Sequence, residues 1–273
     1  MIVDDGDIAR YVSEHGVARL FVDLEHLGKE DRQKNLDTWK SRQTSADVSR
    51  IRDAAPDAHV LVRINPLHAG TAAELDDVLA RGADSIMLPM FRGRDDLAVF
   101  LDLLNGRAEA LPLVETASAL KAIPEIVETL PITGLHIGLN DLHLDLRRDF
   151  MFEPLAEGLL EEPAAALRGR GIPFGIGGLA RADGGLVSAG LLLGEHVRLG
   201  SSATILSRGF HGGAKTLPEL LAGMDFPAEV SRLKSLYRMY GSMSPEDLEA
   251  NRQSAARSIA EVAKGVRERR AVS

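Results

Sequence analysis

The chain has 273 residues, of which 45% are hydrophobic and 26% charged, and its net charge is −8. These proportions are typical of a globular protein that buries a core, and they argue against disorder. The acidic balance provides no basic surface for a polyanion, so we expect no nucleic-acid partner. The absence of cysteine excludes disulfides, thiolate nucleophiles and thiolate metal ligands, which leaves histidine and oxygen ligands.

The amino-terminal segment lacks the pattern of a secretion signal. Asp4, Asp5 and Asp7 follow residues 1–3 directly, where a signal peptide would carry basic residues and then a long apolar stretch. No apolar run reaches the roughly 18 residues that a membrane-spanning helix requires. We therefore expect a cytoplasmic protein with no membrane partner.

Short apolar runs alternate with segments of helical spacing along most of the chain. Residues 85–90 form a continuous apolar run, which is typical of a parallel strand buried on both faces. The predicted strands are 1–3, 19–24, 60–64, 85–90, 111–115, 134–139, 173–176 and 197–199. The predicted helices among them are 5–15, 47–55, 72–81, 94–104, 117–129, 153–169 and 181–193.

This alternation predicts an α/β protein with a (β/α)8 TIM barrel and extra C-terminal helices. No Gly-x-Gly-x-x-Gly fingerprint follows the first strand, and polar residues follow many strands, so an open doubly wound sheet is disfavoured. We predict a catalytic barrel over 1–210 and a helical extension over 211–273. A helix at 245–269 in that extension either covers the barrel or is exchanged between subunits.

A polar and highly charged segment at 28–45 follows the second strand. It is longer than an ordinary connection and contains the single tryptophan, Trp39. Loops of this kind are often lids or substrate loops, and a solvated surface excursion is the alternative.

Glu115 and Asp141 each end a short apolar run, about one strand-helix unit apart. Parallel neighbouring strands would bring both carboxylates to the carboxyl end of the barrel, where barrel enzymes keep their active sites. Two carboxylates in one cleft repel each other unless a proton or a divalent cation lies between them, and oxygen ligands suit Mg²⁺ or Mn²⁺. The alternative is that each carboxylate caps a separate helix.

Three further residues lie at or just beyond the carboxyl ends of predicted strands. Arg63 interrupts an apolar run, and its permanent charge requires an anion or a carbonyl as partner. An ion pair with Glu25 or Glu115 that closes the barrel is the alternative interpretation of this arginine. Asp23 precedes His26 by three residues, and a carboxylate can orient an imidazole and raise its basicity, as a general base requires.

Glycine-rich segments at 175–178 and 200–202 follow the predicted seventh and eighth strands. Many barrels bind phosphate there through backbone N–H groups, and simple turn formation is the alternative. The predicted substrate-binding residues are Arg63, Gly138, Asn140, Gly177, Gly178 and Ser201.

In these motifs the chain resembles the metal-dependent pyruvate aldolases of the HpcH/HpaI type, in the superfamily of the citrate lyase beta subunit. The resemblance covers roughly residues 1–210. The matching segments are 21–26, 62–63, 87–90, 114–116 and 137–142.

The resemblance implies that Glu115 and Asp141 hold a divalent cation, Mg²⁺ or else Mn²⁺ or Co²⁺, which chelates pyruvate. Arg63 would stabilise the enolate together with the cation, and His26, held by Asp23, would act through water on the aldol hydroxyl. Relatives form trimers or hexamers, which implies a homo-oligomer.

The reaction expected from the resemblance is reversible cleavage of a 2-keto-4-hydroxy acid to pyruvate and an aldehyde. The Asp-x-Glu-His sequence at 23–26 favours the aldolases over the citrate lyase relatives. Two alternatives stay open. One is an acyl-CoA lyase of the citramalyl or malyl type, which needs a basic groove for the CoA phosphates, and the other is an inactive barrel that serves as a binding protein.

Overall fold

The structure is a computed structural model that describes residues 1–28, 42–207 and 209–272. Most of the predicted 28–45 loop, with Trp39, lies outside the described residues. Across the described ranges no helix is both long and apolar enough to cross a membrane.

Parallel strands alternate with helices from the amino terminus to β8. The strands are β1 Arg19–Asp23, β2 His59–Arg63, β3 Ser85–Met87, β4 Glu109–Ala110, β5 Leu113–Val114, β6 Leu135–Ile137, β7 Phe174–Leu179 and β8 Ala203–Leu206. The helices are α1 Gly6–Glu14, α2 Ser45–Ala54, α3 Thr71–Ala80, α4 Arg94–Leu104, α5 Ala117–Thr129, α6 Leu139–Asp145, α7 Glu153–Ala156, α8 Glu161–Gly169, α9 Ala189–Leu199, α10 Leu217–Gly223, α11 Phe226–Gly241 and α12 Pro245–Val272.

The strands form two parallel sheets, β1-β2-β3-β4 and β5-β6-β7-β8, which share one chain segment at their junction. Pro112 interrupts that segment between β4 and β5 because proline has no N–H to donate. The pairing nevertheless continues on both sides. Leu113 N donates to Leu88 O at 2.9 Å, and Pro112 O accepts from His136 N at 2.9 Å.

The first three residues extend the sheet beside β1, as the sequence predicted. Phe21 N donates to Met1 O at 2.8 Å, and Val3 N donates to Phe21 O at 3.1 Å, in a parallel bridge. Asp5 then caps α1 by accepting from Ile8 N at 2.9 Å, so the chain turns into a helix directly after the strand. Together these strand positions build the predicted TIM-barrel-like α/β fold.

The predicted strand at 197–199 is wrong. These residues are the last turn of α9, in which Leu192, His196 and Leu199 are buried at helical spacing. Gly200 ends the helix with a φ of 81°, a conformation that favours glycine. Short apolar runs cannot distinguish a strand from a buried helical turn, which is why the eighth strand lies later, in β8.

Two predicted helices also have different bounds. The helix predicted at 181–193 begins only at Ala189, where the Ser188 hydroxyl accepts from Gly190 N. The helix predicted at 153–169 is two helices, α7 and α8, separated at Gly158 with its φ of 74°.

The C-terminal helix α12 packs against α9 and α7 of the same chain. Ala255, Ile259 and Ala263 are buried, and Asn251 Nδ2 donates to Leu191 O at 3.0 Å. This arrangement covers the barrel wall. Exchange of the helix between subunits and the division at residue 210 both stay predictions.

Two histidines, His136 and His196, are buried, and among the residues that the structure describes neither has an acidic partner that would favour its protonation. His136 Nε2 contacts Gly177 O at 3.0 Å, and His196 Nδ1 contacts Ser201 Oγ at 3.0 Å. Burial lowers the pKa of His136 to about 4 and that of His196 to about 3. Arg19 and Arg63 lower the pKa of His136 further, against the contact with Gly177 O, which raises it, and His136 lowers the pKa of His196.

We expect these histidines to make the protein less stable in mild acid. An unfolded histidine binds a proton near pH 6.5, so the unfolded chain takes up protons before the folded one does. Their contribution is therefore complete above about pH 6.5 and is lost as the pH falls toward 4. Urea unfolding between pH 7.5 and pH 4 should show a loss on the order of 2–3 kcal/mol per histidine.

The variants His136→Gln and His196→Gln should each reduce this pH dependence, whatever their stability at pH 7.5. The exposed His68 provides the control, and His68→Gln should leave the slope unchanged. If the free energy of unfolding depended on pH equally in the wild type and in all three variants, the two buried histidines would not be the source of the acid sensitivity.

Candidate active site at the carboxyl ends of the strands

Arg63 and Asp23 are paired residues at the ends of neighbouring strands. Arg63 Nε and Nη2 each donate to one oxygen of Asp23, both at 2.8 Å. The Asp23 side chain is 2% exposed and that of Arg63 13%, so this two-pronged ion pair is almost entirely removed from water. It fixes the plane of the guanidinium at the barrel mouth.

Glu25 provides a second anion for the same arginine. Its Oε2 lies 3.2 Å from Arg63 Nη1, and its side chain is fully buried. Burial alone would lower the pKa of Arg63, but Asp23 and Glu25 outweigh burial and raise it. The structure therefore confirms the alternative interpretation in which Arg63 pairs with Glu25, and adds Asp23.

His26 is held by polar groups other than the expected Asp23. Its backbone N–H donates to Asn65 Oδ1 at 2.9 Å, and its ring Nε2 lies 2.9 Å from Gln43 O. Asn65 is in turn fixed by Glu74, which accepts from Asn65 Nδ2 at 2.7 Å. The prediction that Asp23 orients His26 is corrected, because the Asp23 carboxylate is bound by Arg63.

Asn65 and Gln43 are the residues that sequence reasoning missed. Asn65 Oδ1 also accepts from Leu27 N at 2.9 Å, so one amide fixes two consecutive residues of the His26 loop. Gln43 bonds Asp23 N through Oε1 and Val3 O through Nε2, each at 2.8 Å. The available sequence signal was the position of Asn65 directly beyond a strand end.

Glu115 lies just beyond β5 and is 2% exposed. Met90 N donates to its Oε1 at 3.1 Å, and Met90 holds a φ of 55°, a conformation that non-glycine residues rarely adopt. Gly138 allows the neighbouring strand end to approach, since a Cβ there would lie 3.3 Å from Glu115 Oε2. Asp141, 7% exposed, follows in the first turn of α6.

Burial and the neighbouring carboxylates determine the electrostatics of Glu115. Burial raises the pKa of Glu115 well above its ordinary value, and Glu25 and Asp141 raise it further, against the opposing effect of Arg63. Asp23, Glu25 and Glu115 in turn all raise the pKa of Arg63. Buried carboxylates that lie close together are stabilised by protons, by cationic side chains or by a bound cation.

Glu115 and Asp141 fit a divalent cation, because they lie close enough to interact and carboxylate oxygen atoms suit Mg²⁺ or Mn²⁺. Among the residues that the structure describes, no group of three or more His, Asp and Glu side chains is arranged to hold a metal. The two carboxylates would therefore leave most coordination positions to water or substrate.

The predicted substrate-binding residues are not all at this mouth. Asn140 is exposed in the first turn of α6, beside Asp141. Gly177 and Gly178 lie inside β7, and Gly177 O is bonded by His136. Ser201 precedes β8 and therefore lies at the opposite, amino end of the barrel, fully buried. The Ser201 prediction is wrong because it depended on the misplaced strand at 197–199.

The sequence matches the HpcH/HpaI aldolase/citrate lyase family over residues 4–150. This range contains Asp23, His26, Arg63, Glu115 and Asp141. A search of curated proteins gave no match.

Several solved structures share the fold. An HpcH/HpaI aldolase from Desulfitobacterium hafniense DCB-2 has a TM-score of 0.57 at 18% identity, over 76% of this chain and 84% of its own. An HpcH/HpaI aldolase/citrate lyase family protein from Burkholderia cenocepacia J2315 has a TM-score of 0.60 at 16% identity, over 86% of this chain and 93% of its own. A citrate synthase, SbnG, has a TM-score of 0.56 at 16% identity, over 85% of this chain and 90% of its own. At these identities the likeness shows the fold alone.

Removing Arg63 should destabilise the fold strongly. Arg63→Ala removes the guanidinium that contacts the buried Asp23 and Glu25 carboxylates, and breaking a buried ion pair in this way costs about 3–5 kcal/mol. The free energy of unfolding in urea at pH 7.5 measures the loss. Arg232→Ala is the matched control, since Arg232 pairs with Asp183 at the surface and should change little. Equal stabilities of the two variants would refute a buried role for Arg63.

Proposed function

This chain belongs to the HpcH/HpaI aldolase/citrate lyase family, and we propose that it is a divalent-metal-dependent lyase that cleaves a 2-keto-4-hydroxy acid to pyruvate and an aldehyde. The observation that carries the proposal is the position of Glu115, a buried carboxylate just beyond a strand end whose pKa is raised by burial and by the neighbouring Glu25 and Asp141. Neighbouring buried carboxylates of this kind are stabilised by a bound cation or by protons.

Glu115 and Asp141 are the residues that would hold the cation. When bound, the cation would supply positive charge to the keto oxygen of the substrate as an enolate develops there. Met90 supports this role because its N–H fixes one oxygen of Glu115 and thereby the orientation of the carboxylate. The absence of a side chain at Gly138 leaves room beside the other oxygen.

Arg63 would provide a second positive group to the same oxygen. Its guanidinium is held on one edge by Asp23 and at Nη1 by Glu25, so it has little freedom to reorient. A guanidinium has more N–H donors than these contacts use, and the remaining ones can face a substrate. A donor that is already oriented costs little reorganisation when charge develops.

His26 would act as the base. A carbonyl oxygen can only accept, so the contact with Gln43 O requires the proton on Nε2 and leaves Nδ1 as an acceptor. Nδ1 would take the proton of the 4-hydroxyl group, directly or through a water molecule. The C3–C4 bond then breaks, its electron pair passes to the C2 keto group as an enolate, and C4 leaves as the aldehyde. Protonation of C3 completes pyruvate.

The first test concerns the carboxylate pair. Glu115→Ala and Asp141→Ala should each lose Mn²⁺ binding, measured by calorimetry, and the exchange of pyruvate methyl protons with deuterated solvent, measured by NMR. Glu128→Ala is the control, since Glu128 is an exposed carboxylate on α5 away from the mouth. EDTA should abolish exchange in the wild type.

Unchanged Mn²⁺ affinity in the Glu115 and Asp141 variants, together with no pyruvate exchange in the metal-loaded wild type, would overturn the proposal. A panel of 2-keto-4-hydroxy acids with malyl-CoA as a further substrate then identifies the reaction. Pyruvate released from the keto acids supports aldol cleavage, whereas turnover of malyl-CoA alone would favour the acyl-CoA lyase instead.

The second test concerns His26. His26→Gln should lower kcat/KM for pyruvate release by roughly 10²–10⁴-fold, the range for loss of a general base, while Mn²⁺ affinity is retained. Pyruvate release is followed with a coupled dehydrogenase. His15→Gln is the control because His15 follows the last residue of α1, where its ring contacts Tyr11 O, and it makes no contact with the His26 loop among the described residues. Cleavage at the wild-type rate by the His26 variant would exclude it as the base.

A further inference from the structure

A cavity of about 570 Å³ lies at the amino end of the barrel. Its walls include Ala18 and Arg19 at the start of β1, Gly134 before β6, Pro173 before β7 and Ser202 before β8. All five positions precede or begin strands. The cavity also extends along β7 and β8 to Leu179 and Leu206, but none of the described candidate active-site residues lines it, so it is a separate space.

A layer of barrel side chains separates the two sites. Phe21, Leu61 and Met87 line the cavity and belong to the apolar cluster that fills the barrel interior. The guanidinium carbon of Arg63 lies 5.6 Å from the centroid of the Phe21 ring. A molecule in the cavity would therefore contact the layer on which Arg63 rests, without reaching Glu115 or Asp141.

The inner surface of the cavity is apolar, with polar groups that are neutral at pH 7. Val230 and Leu233 of α11 close it on one side. His136 and His196 also line it, and burial lowers the pKa of both. A volume of this size with an apolar lining is within the range of small-molecule sites.

The rim of the cavity is positive. Arg19, Lys234 and Arg238 lie on it with a single carboxylate, Glu109, which Arg19 holds at 2.9 Å. Lys234 Nζ donates to Gly16 O at 3.1 Å, and neither Lys234 nor Arg238 has an ion pair with any residue that the structure describes. This local excess of positive charge contrasts with the net charge of −8 for the whole chain.

We infer that this cavity binds an aliphatic carboxylate, with the hydrocarbon chain against Phe21 and Leu233 and the carboxylate at Lys234 and Arg238. Apolar walls favour the chain because its surface leaves water. The two cations favour an anionic head over a neutral or cationic one of equal length. The site is independent of the proposed lyase activity and would exist in an inactive barrel.

Calorimetric titration with decanoate tests the inference, with decyltrimethylammonium as the probe of opposite charge. Decanoate should bind one site per chain, and decyltrimethylammonium should bind at least roughly tenfold more weakly. Lys234→Glu combined with Arg238→Glu should weaken the binding of decanoate by roughly tenfold or more. It should also reduce the difference in affinity between the two probes. Both residues are exposed, so the double variant should fold, which circular dichroism checks.

A second variant fills the cavity. Ala203 lines it and is exposed, so Ala203→Phe should place a ring in the space and abolish decanoate binding. Arg257→Glu, on the exposed face of α12, is the control for a charge reversal elsewhere and should bind as the wild type does. Equal affinity for the two probes, or wild-type affinity for decanoate in either folded variant, overturns the inference. Pyruvate proton exchange measured on the same proteins reports on the lyase proposal separately.

Discussion

The barrel mouth depends on one buried interaction, the bidentate ion pair between Arg63 and Asp23. Glu25 contacts the remaining nitrogen of the guanidinium, Nη1. The ion pair connects the last residues of β1 and β2, and it supplies the positive charge that the surrounding carboxylates require. Such an ion pair adds little stability compared with an apolar pair of the same size, because both groups must leave water. Its presence is better explained by what it orients. A guanidinium fixed on two sides remains in one position when charge develops beside it.

The mouth is built from loops that are fixed by backbone contacts and by amide side chains. Asn65 fixes two residues of the His26 loop, and Gln43 connects that loop to Asp23 and to the first strand. Glu115 is fixed by a backbone N–H at a residue in an uncommon conformation, Met90. Strain of this kind is retained where the surrounding structure holds it and is concentrated at functional sites. The two ends of the barrel then differ in kind, with buried charge at the carboxyl end and an apolar cavity with a positive rim at the amino end.

Much of the site was predictable from the sequence because parallel strands impose a simple rule. Polar residues that end apolar runs must emerge at one edge of the sheet, and this rule predicts Arg63, Glu115 and Asp141 at one mouth. The rule failed for Ser201, because the strand predicted before it, 197–199, is the last turn of α9. The spacing of Val197 and Leu199, two residues apart, is the same as in a strand. Three consecutive residues carry too little periodicity to separate a period of two from one of 3.6.

The sequence by itself determined the fold class, the family and the residues that gather at the mouth, because these depend on the order and spacing of apolar runs and of the residues that end them. Only the tertiary structure decided which residues are partners. Asp23 is three residues from His26 in sequence, yet it binds Arg63, which lies beside it on the next strand. Pairing depends on distances across strands, and a linear spacing does not contain them. The amino-end cavity has the same origin, since it is formed by residues that are distant along the chain and meet only when the barrel is folded.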